Sequence, residues 1–114
     1  MTYGEALELV KEEYEIKRVS DNCHLLKTGM TYDGCRGFCV TLYTDGEEII
    51  LSDMGETKEV FDEVSAEEWE ELCESHGFEF NRYRIIRRFS STNDVYQYIK
   101  FLDFVSDKFF PLDD

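Results

Sequence analysis

The stretch from Leu51 to Thr57, with the sequence Leu-Ser-Asp-Met-Gly-Glu-Thr, constrains the fold of this chain more than any other. It follows a β pattern and precedes a helical one, so it must turn a strand into a helix within a few residues. Asp53 is placed to cap that helix, and Glu56 follows at the spacing of a capping box. Gly55 supplies the backbone freedom of a sharp turn. We therefore interpret these three residues as a structural turn, and we favour this over a metal or acid–base pair because turns commonly use such residue types.

The apolar pattern before this turn predicts a β-hairpin. Asp45-Gly46 is a dipeptide typical of a two-residue type I′ turn, and an apolar stretch lies on each side of it. In that register the pairs are Leu42 with Ile49 and Val40 with Leu51, and all four side chains lie on one face. The opposite face is more mixed and is expected to be half exposed.

Three further patterns predict helices at the two ends and in the middle of the chain. Apolar residues from Tyr3 to Tyr14 recur at helical spacing, which predicts a first helix of about fourteen residues. Ser65 opens a middle helix, which Gly77 is placed to end. Ser91 opens a last helix, whose predicted apolar stripe is Val95, Tyr98, Ile99, Leu102 and Val105. The predicted fold class is α+β, a single domain over residues 1–114. It has a small antiparallel sheet with a central β-hairpin, flanked by N-terminal, middle and C-terminal helices.

Composition narrows the range of partners. The 114 residues carry a formal charge of −14, which repels nucleic acid and anionic membranes. We therefore expect no direct binding of nucleic acid. No apolar run approaches the roughly 20 residues of a membrane span, and the first residues are amphipathic and acidic rather than a signal peptide. These features predict a cytoplasmic protein with reduced thiols and no membrane partner.

Residues with metal or catalytic chemistry are few and poorly spaced. The candidate metal ligands are Cys23, His24, Cys35, Cys39, Cys73 and His76. Their spacing is not the paired Cys-x-x-Cys of common zinc modules, so we expect metal-free thiols and no cofactor. Nucleophile elbows, zinc-protease helices and phosphate-binding glycine loops are missing. A small hydrolase or metal enzyme is therefore only a third hypothesis, without a catalytic residue to name.

The order of these elements resembles a family of small bacterial and phage proteins catalogued as a domain of unknown function. The similarity covers roughly residues 25–109 and is sharpest at Leu51–Thr57, because that family carries a Leu-(Ser/Thr)-Asp-x-Gly-Glu-Thr-like turn after a hairpin. Met54 stands where the family often has a second acid. The resemblance implies the fold and a phage or mobile-element context, and it implies no catalytic residue.

Carboxylates at helical spacing suggest a binding surface. The three rows are Glu5, Glu8, Glu12 and Glu15; Glu56, Glu59 and Glu63; and Glu67, Glu71 and Glu74. Like charges at this spacing repel one another, so the rows have a cost. The leading hypothesis is a non-enzymatic protein that presents an acidic face to a protein partner with a basic surface. In its most specific form it inhibits a host nucleic-acid-binding or defence enzyme as a DNA mimic. The alternatives are a solvated surface and a structural or regulatory homo-oligomer.

Two more groups of side chains have competing interpretations. Phe101, Phe104 and Phe109 add apolar surface to the last helix, which predicts a homodimer interface there. Four arginines lie between Arg82 and Arg88. Given the overall charge, we expect them to balance nearby carboxylates rather than to grip an anion.

Overall fold

The fold is α+β, as predicted, and the computed structural model describes residues 1–32 and 36–109. Six antiparallel strands form one sheet in the order β1-β2-β3-β4-β6-β5. In chain order the elements are α1 (Tyr3–Lys11), β1 (Glu15–Ser20), β2 (Cys23–Lys27), β3 (Val40–Thr44), β4 (Ile49–Ser52), α2 (Glu56–Val60), α3 (Ala66–Ser75), β5 (Glu79–Asn81), β6 (Arg84–Arg88) and α4 (Thr92–Phe109). None of the helices in this described part is long and apolar enough to cross a bilayer.

The central hairpin forms, but its register differs from the prediction by two residues. Leu42 lies opposite Leu51, and Thr44 lies opposite Ile49, so residues 45–48 form a four-residue loop instead of a two-residue turn. The Asp45 carboxylate causes this, because it accepts the N–H groups of both following glutamates at 2.9 Å. Side chains alternate with a period of two along a strand, so the predicted faces are unchanged by a shift of two.

The predicted first helix is wrong in length. α1 ends at Lys11, and the chain enters β1 at Glu15, which pairs with Lys27 of β2. The apolar spacing up to Tyr14 therefore continues across a helix end and a turn. Pairing with β2 supplies the backbone hydrogen bonds of residues 15–20, and this tertiary contact overrides the local helical pattern.

The helices pack on one face of the sheet. On that face Tyr3 of α1 contacts the His24 ring, and Trp69 of α3 stacks on Phe80. Its buried apolar strand residues are Leu26, Val40, Leu42, Leu51 and Ile85. The side chains that point the other way form what we call the open face, which carries Glu15, Lys17, Cys23, Leu25, Lys27, Thr41, Tyr43, Ile50, Ser52, Glu79, Asn81, Arg84, Ile86 and Arg88. Its two ends are exposed, and its apolar centre is half-buried or buried.

Aromatic side chains fill the core where the middle and last helices meet. Trp69 is fully buried and contacts the rings of Phe61 and Phe109. The predicted cap of α3 is present, since the Ser65 hydroxyl accepts the Glu68 N–H. The positive φ of Gly77, +82°, lets the chain leave α3 directly into β5.

The start of α4 is fixed to the sheet by Asp94. Its carboxylate accepts the N–H groups of Ser90 and Ser91 at 2.8 and 3.0 Å and pairs with Arg87 Nε at 2.9 Å. Burial raises the pKa of Asp94, but the Ser90 and Arg87 donors outweigh burial and hold the pKa below its usual range. The predicted apolar stripe of α4 follows, with Val95, Tyr98, Leu102 and Val105 fully buried.

We expect Asp94→Asn to lower the free energy of unfolding by about 2 kcal/mol at pH 7, because it removes a charge-assisted cap. The lowered pKa gives Asp94 a stabilising effect that is present above its unfolded-state pKa, near 3.9, and is lost as the pH falls through the folded-state pKa. Urea unfolding at pH 7 and at pH 3 measures both effects. Asp107→Asn, an exposed change on the same helix, is the control and should lose nothing. An undiminished difference at pH 3 would contradict the ionic origin.

Candidate functional site

The predicted strand-to-helix turn is centred on a buried carboxylate. Asp53 has no exposed surface. One of its oxygens accepts the N–H groups of Gly55 and Ile85, both at 3.0 Å, and the other accepts the Thr57 N–H at 3.1 Å. Ile85 lies in β6, 32 residues away in sequence, so this side chain joins the end of β4, the start of α2 and the neighbouring strand.

The local details of the turn differ from a capping box. The N-cap of α2 is Gly55, whose φ is +84°, and no side chain caps it. Glu56 pairs with Arg36 at 3.1 Å instead of reaching back to Asp53. Burial raises the pKa of Asp53, although the hydrogen bonds from Thr57, Ile85 and Gly55 act in the opposite direction. Asp53 and Glu56 therefore serve separate contacts, which supports a structural role for the turn.

The three described cysteines are free thiols. Cys23 and Cys39 are half-buried, and Cys73 is fully buried in the core. Burial raises the pKa of Cys39 to about 11 and that of Cys73 to about 12, so both remain thiols near neutral pH. Within residues 1–32 and 36–109, no group of three or more His, Cys, Asp and Glu side chains could hold a metal ion. Cys35 lies outside the described residues, and the absence of a metal stays a prediction.

The N-terminal acidic row is not one helical face. Glu15 belongs to β1 and pairs with Lys27 at 3.2 Å. Glu5 caps its own helix by accepting the Thr2 N–H at 2.7 Å, and Glu8 approaches Lys11 at 3.7 Å. Glu12 is the C-cap of α1. The predicted continuous row of four carboxylates is therefore wrong, because the helix ends before the row does.

The acidic face of α3 is continuous. Glu67, Glu70, Glu71 and Glu74, which we call the acidic stripe, follow the i, i+3, i+4, i+7 spacing of one helical face, and all four are exposed. The buried Trp69 and Cys73 occupy the opposite side of the same helix. None of the ion pairs among the described residues includes a carboxylate of the stripe. The Glu70 position extends the predicted row, and helical spacing in the sequence was a sufficient signal for it.

Further carboxylates adjoin the stripe at both ends. Glu59 and Asp62 line a depression of about 370 Å³ that reaches Ala66, the first residue of α3. At the other end, Glu70 and Glu74 border a larger cleft of about 780 Å³ beside β5. The acidic surface therefore extends from α2 along the whole of α3.

The arginines of β6 act as expected on an acidic protein. Arg88 pairs with Glu48 at 2.8 Å, and Arg87 pairs with Asp94 and lies 5.1 Å from the centre of the Phe78 ring. Arg82 occupies a tight turn with Tyr83, and both have positive φ, +54° and +66°. The predicted balance with carboxylates is thus present for two of the four arginines, Arg87 and Arg88.

The predicted dimer surface on α4 is largely internal. Phe101 is buried and stacks on Phe78, with 4.4 Å between ring centroids. Phe109 is half-buried against Trp69. Phe104 is exposed and contacts the His76 ring. Two of the three rings therefore belong to the core, and the homodimer interface through Phe101, Phe104 and Phe109 stays a prediction in which only Phe104 offers exposed apolar surface.

One buried polar contact had no clear sequence signal. The Tyr3 hydroxyl lies 2.6 Å from the Leu42 carbonyl and 2.9 Å from His24 Nδ1. A carbonyl only accepts, so the single hydroxyl hydrogen goes to Leu42, and His24 must carry its proton on Nδ1 and donate it to Tyr3. These two hydrogen bonds attach α1 to β2 and β3. A single Tyr and a single His in the sequence do not indicate such a contact.

No family model, curated protein or solved structure matches this chain. The resemblance carried by Leu51–Thr57 therefore stays a prediction.

We expect Asp53→Ala to lower the free energy of unfolding by about 3 kcal/mol, because it leaves three N–H groups without their acceptor in a buried site. Asp45→Ala is the matched control. It also removes a carboxylate that accepts two N–H groups, but water replaces it in the exposed loop, and the cost should be at most about 1 kcal/mol. Urea unfolding compares the two, and equal losses would refute the central role of Asp53.

Proposed function

We propose that this chain is a non-enzymatic interaction protein whose acidic stripe docks on a basic surface of a partner protein. The observation that carries this proposal is that four exposed carboxylates occupy one face of α3 and that none of them forms an ion pair with another described residue. Carboxylates of that kind remain available for a partner's Lys and Arg side chains.

The stripe is unfavourable for α3 itself. Glu67 and Glu71, like Glu70 and Glu74, are one turn apart, where like charges destabilise a helix. Glu74 also lies in the last turn, where the helix dipole disfavours anions, and that turn has no basic residue. A solvated surface needs no such arrangement, because basic residues in alternation would keep the helix soluble and stabilise it. The cost to the helix supports a role in binding.

The spacing of the charges supports mimicry of a nucleic acid. Seven residues of helix rise about 10 Å, so the stripe presents its four carboxylates over that length. A DNA duplex carries about six charges over 10 Å of its axis. The stripe and the neighbouring carboxylates of α2 thus come within a factor of two of that charge density. Its most specific target is a host nucleic-acid-binding or defence enzyme, in the phage or mobile-element setting that the Leu51–Thr57 turn implies.

We expect the combined change of Glu67, Glu70, Glu71 and Glu74 to Gln to abolish partner capture at low salt, because it removes the charge and keeps the shape. The immobilised chain is incubated with bacterial lysate at 50 and 300 mM salt, with and without competing duplex DNA. A true partner is captured at low salt, released at high salt and displaced by the duplex.

The matched control changes four exposed carboxylates elsewhere, Glu8, Glu12, Glu13 and Glu47, to Gln. It has the same net charge as the stripe variant and should retain the partner. If both variants lose binding equally, only the net charge matters and the stripe is not a site. If the control alone loses binding, the stripe is not the site and the partner surface includes the control positions instead.

A further inference from the structure

We propose that two copies of this chain form a two-fold dimer by packing their open faces together. This inference goes beyond the acidic stripe and does not depend on it, because the side chains that carry it belong to the strands and none belongs to the stripe. The occupant we assign to the open face is a second copy, since the side chains across the sheet are self-complementary.

One row of side chains crosses all six strands on the open face. The pairing registers place its members side by side in the order Lys17, Leu25, Thr41, Ser52, Ile86 and Glu79. A cation stands at one end and a carboxylate at the other. An aliphatic side chain follows each charge, and two small hydroxyl residues form the centre. The row therefore has matching chemistry at equal distances on either side of its midpoint, between β3 and β4.

A two-fold axis through that midpoint and parallel to the strands lays the row of one copy over the same row of the second copy, in the opposite order. Such an axis keeps the height along the strands and reverses the strand order, so β1 of one copy lies over β5 of the other. Lys17 then faces Glu79 of the second copy, and Leu25 faces Ile86. Thr41 and Ser52 lie at the centre of the row, where both are already buried within their own copy. Each of these contacts occurs twice, as an isologous interface requires.

The next row along the strands fits the same axis. Its members are Cys23, Tyr43, Ile50 and Arg88. Tyr43 then faces Ile50 of the second copy, which adds an aromatic and an aliphatic side chain beside the central hydroxyl pair. Thr41, Ser52 and Ile50 are buried already, whereas Leu25, Tyr43 and Ile86 are half-buried and lose further water on packing.

Charge and area both permit this contact. The strands place Lys17, Lys27, Arg84 and Arg88 on this side of the sheet with Glu15 and Glu79, so the face lacks the strong negative charge of the chain as a whole, −14. The same axis places Lys27 opposite Arg84 of the second copy, and the ion pair of Lys27 with Glu15 at 3.2 Å offsets that repulsion. Six strands about 4.8 Å apart and five residues about 3.4 Å apart cover roughly 500 Å² per copy, or about 1,000 Å² in total. That is the lower limit of a specific interface, so we expect a dissociation constant in the micromolar range.

A charge exchange tests this arrangement. Lys17 and Glu79 lie on opposite edge strands, five strand spacings or about 24 Å apart, so they cannot pair within one copy. We expect Lys17→Glu alone, and Glu79→Lys alone, to weaken the dimer about tenfold, because each creates two like-charge contacts. The double variant should return to within about threefold of the original. Sedimentation equilibrium from 1 to 300 μM measures the constants.

Two further variants complete the test. Lys58→Glu makes the same charge change on α2 and should leave the dimer unaffected. Leu25→Asp places a charge in the half-buried part of the row and should give monomers, with circular dichroism confirming that the fold is kept. A monomer at every concentration would overturn the proposal and leave the open face to another partner. A dimer that the double variant does not restore would overturn it as well, because a different surface would then hold the copies together.

Discussion

The hydrogen bonds of the Asp53 carboxylate join segments of the fold that include residues far apart in the sequence. A strand end, a helix start and a distant strand present their N–H groups to the same two oxygens. Backbone donors inside a protein need acceptors, and a short side chain at the turn supplies three at once. The positive φ of Gly55 and its close approach to the Tyr83 carbonyl bring the next hairpin alongside. The turn at Asp53 therefore positions β6 beside β4, and α2 and α3 follow it across the core.

The charges of the protein are separated by the layers of its structure. Exposed carboxylates are most numerous on α3, whereas four of the cations lie on the open face of the sheet. The net charge of −14 therefore does not indicate how much charge any single surface carries. In the proposed dimer the open faces meet in the middle, and each copy keeps its acidic stripe on α3, with Glu70 and Glu74 beside the edge of the contact. One assembly would then offer two binding surfaces to a basic partner, and linked sites of this kind raise apparent affinity.

The elements predicted well were those whose signals are local. Ser65, Gly77 and the apolar stripe of α4 all appear where their patterns place them, because caps and helical periodicity depend on neighbours within one or two turns. The predicted hairpin register is wrong because the hydrogen bonds of one side chain, Asp45, stabilise a longer loop. The predicted first helix is too long because residues 15–20 pair with β2, and this pairing supplies their backbone hydrogen bonds. Phe101 and Phe109 of the last helix lie in or against the core and Phe104 is exposed, a difference that the sequence did not indicate because periodicity cannot tell a core ring from a surface ring.

The sequence by itself determined the α+β class, the strand-to-helix joint at Leu51–Thr57 and the acidic spacing of α3. Composition and short-range periodicity suffice for features of that kind. Only the tertiary structure decided that Asp53 also binds Ile85, that Glu15 leaves the acidic row, and that Lys17 and Glu79 end the same row of side chains. Each of these depends on which strands become neighbours. That choice is made by the burial of one shared core, and no local stretch of sequence contains it.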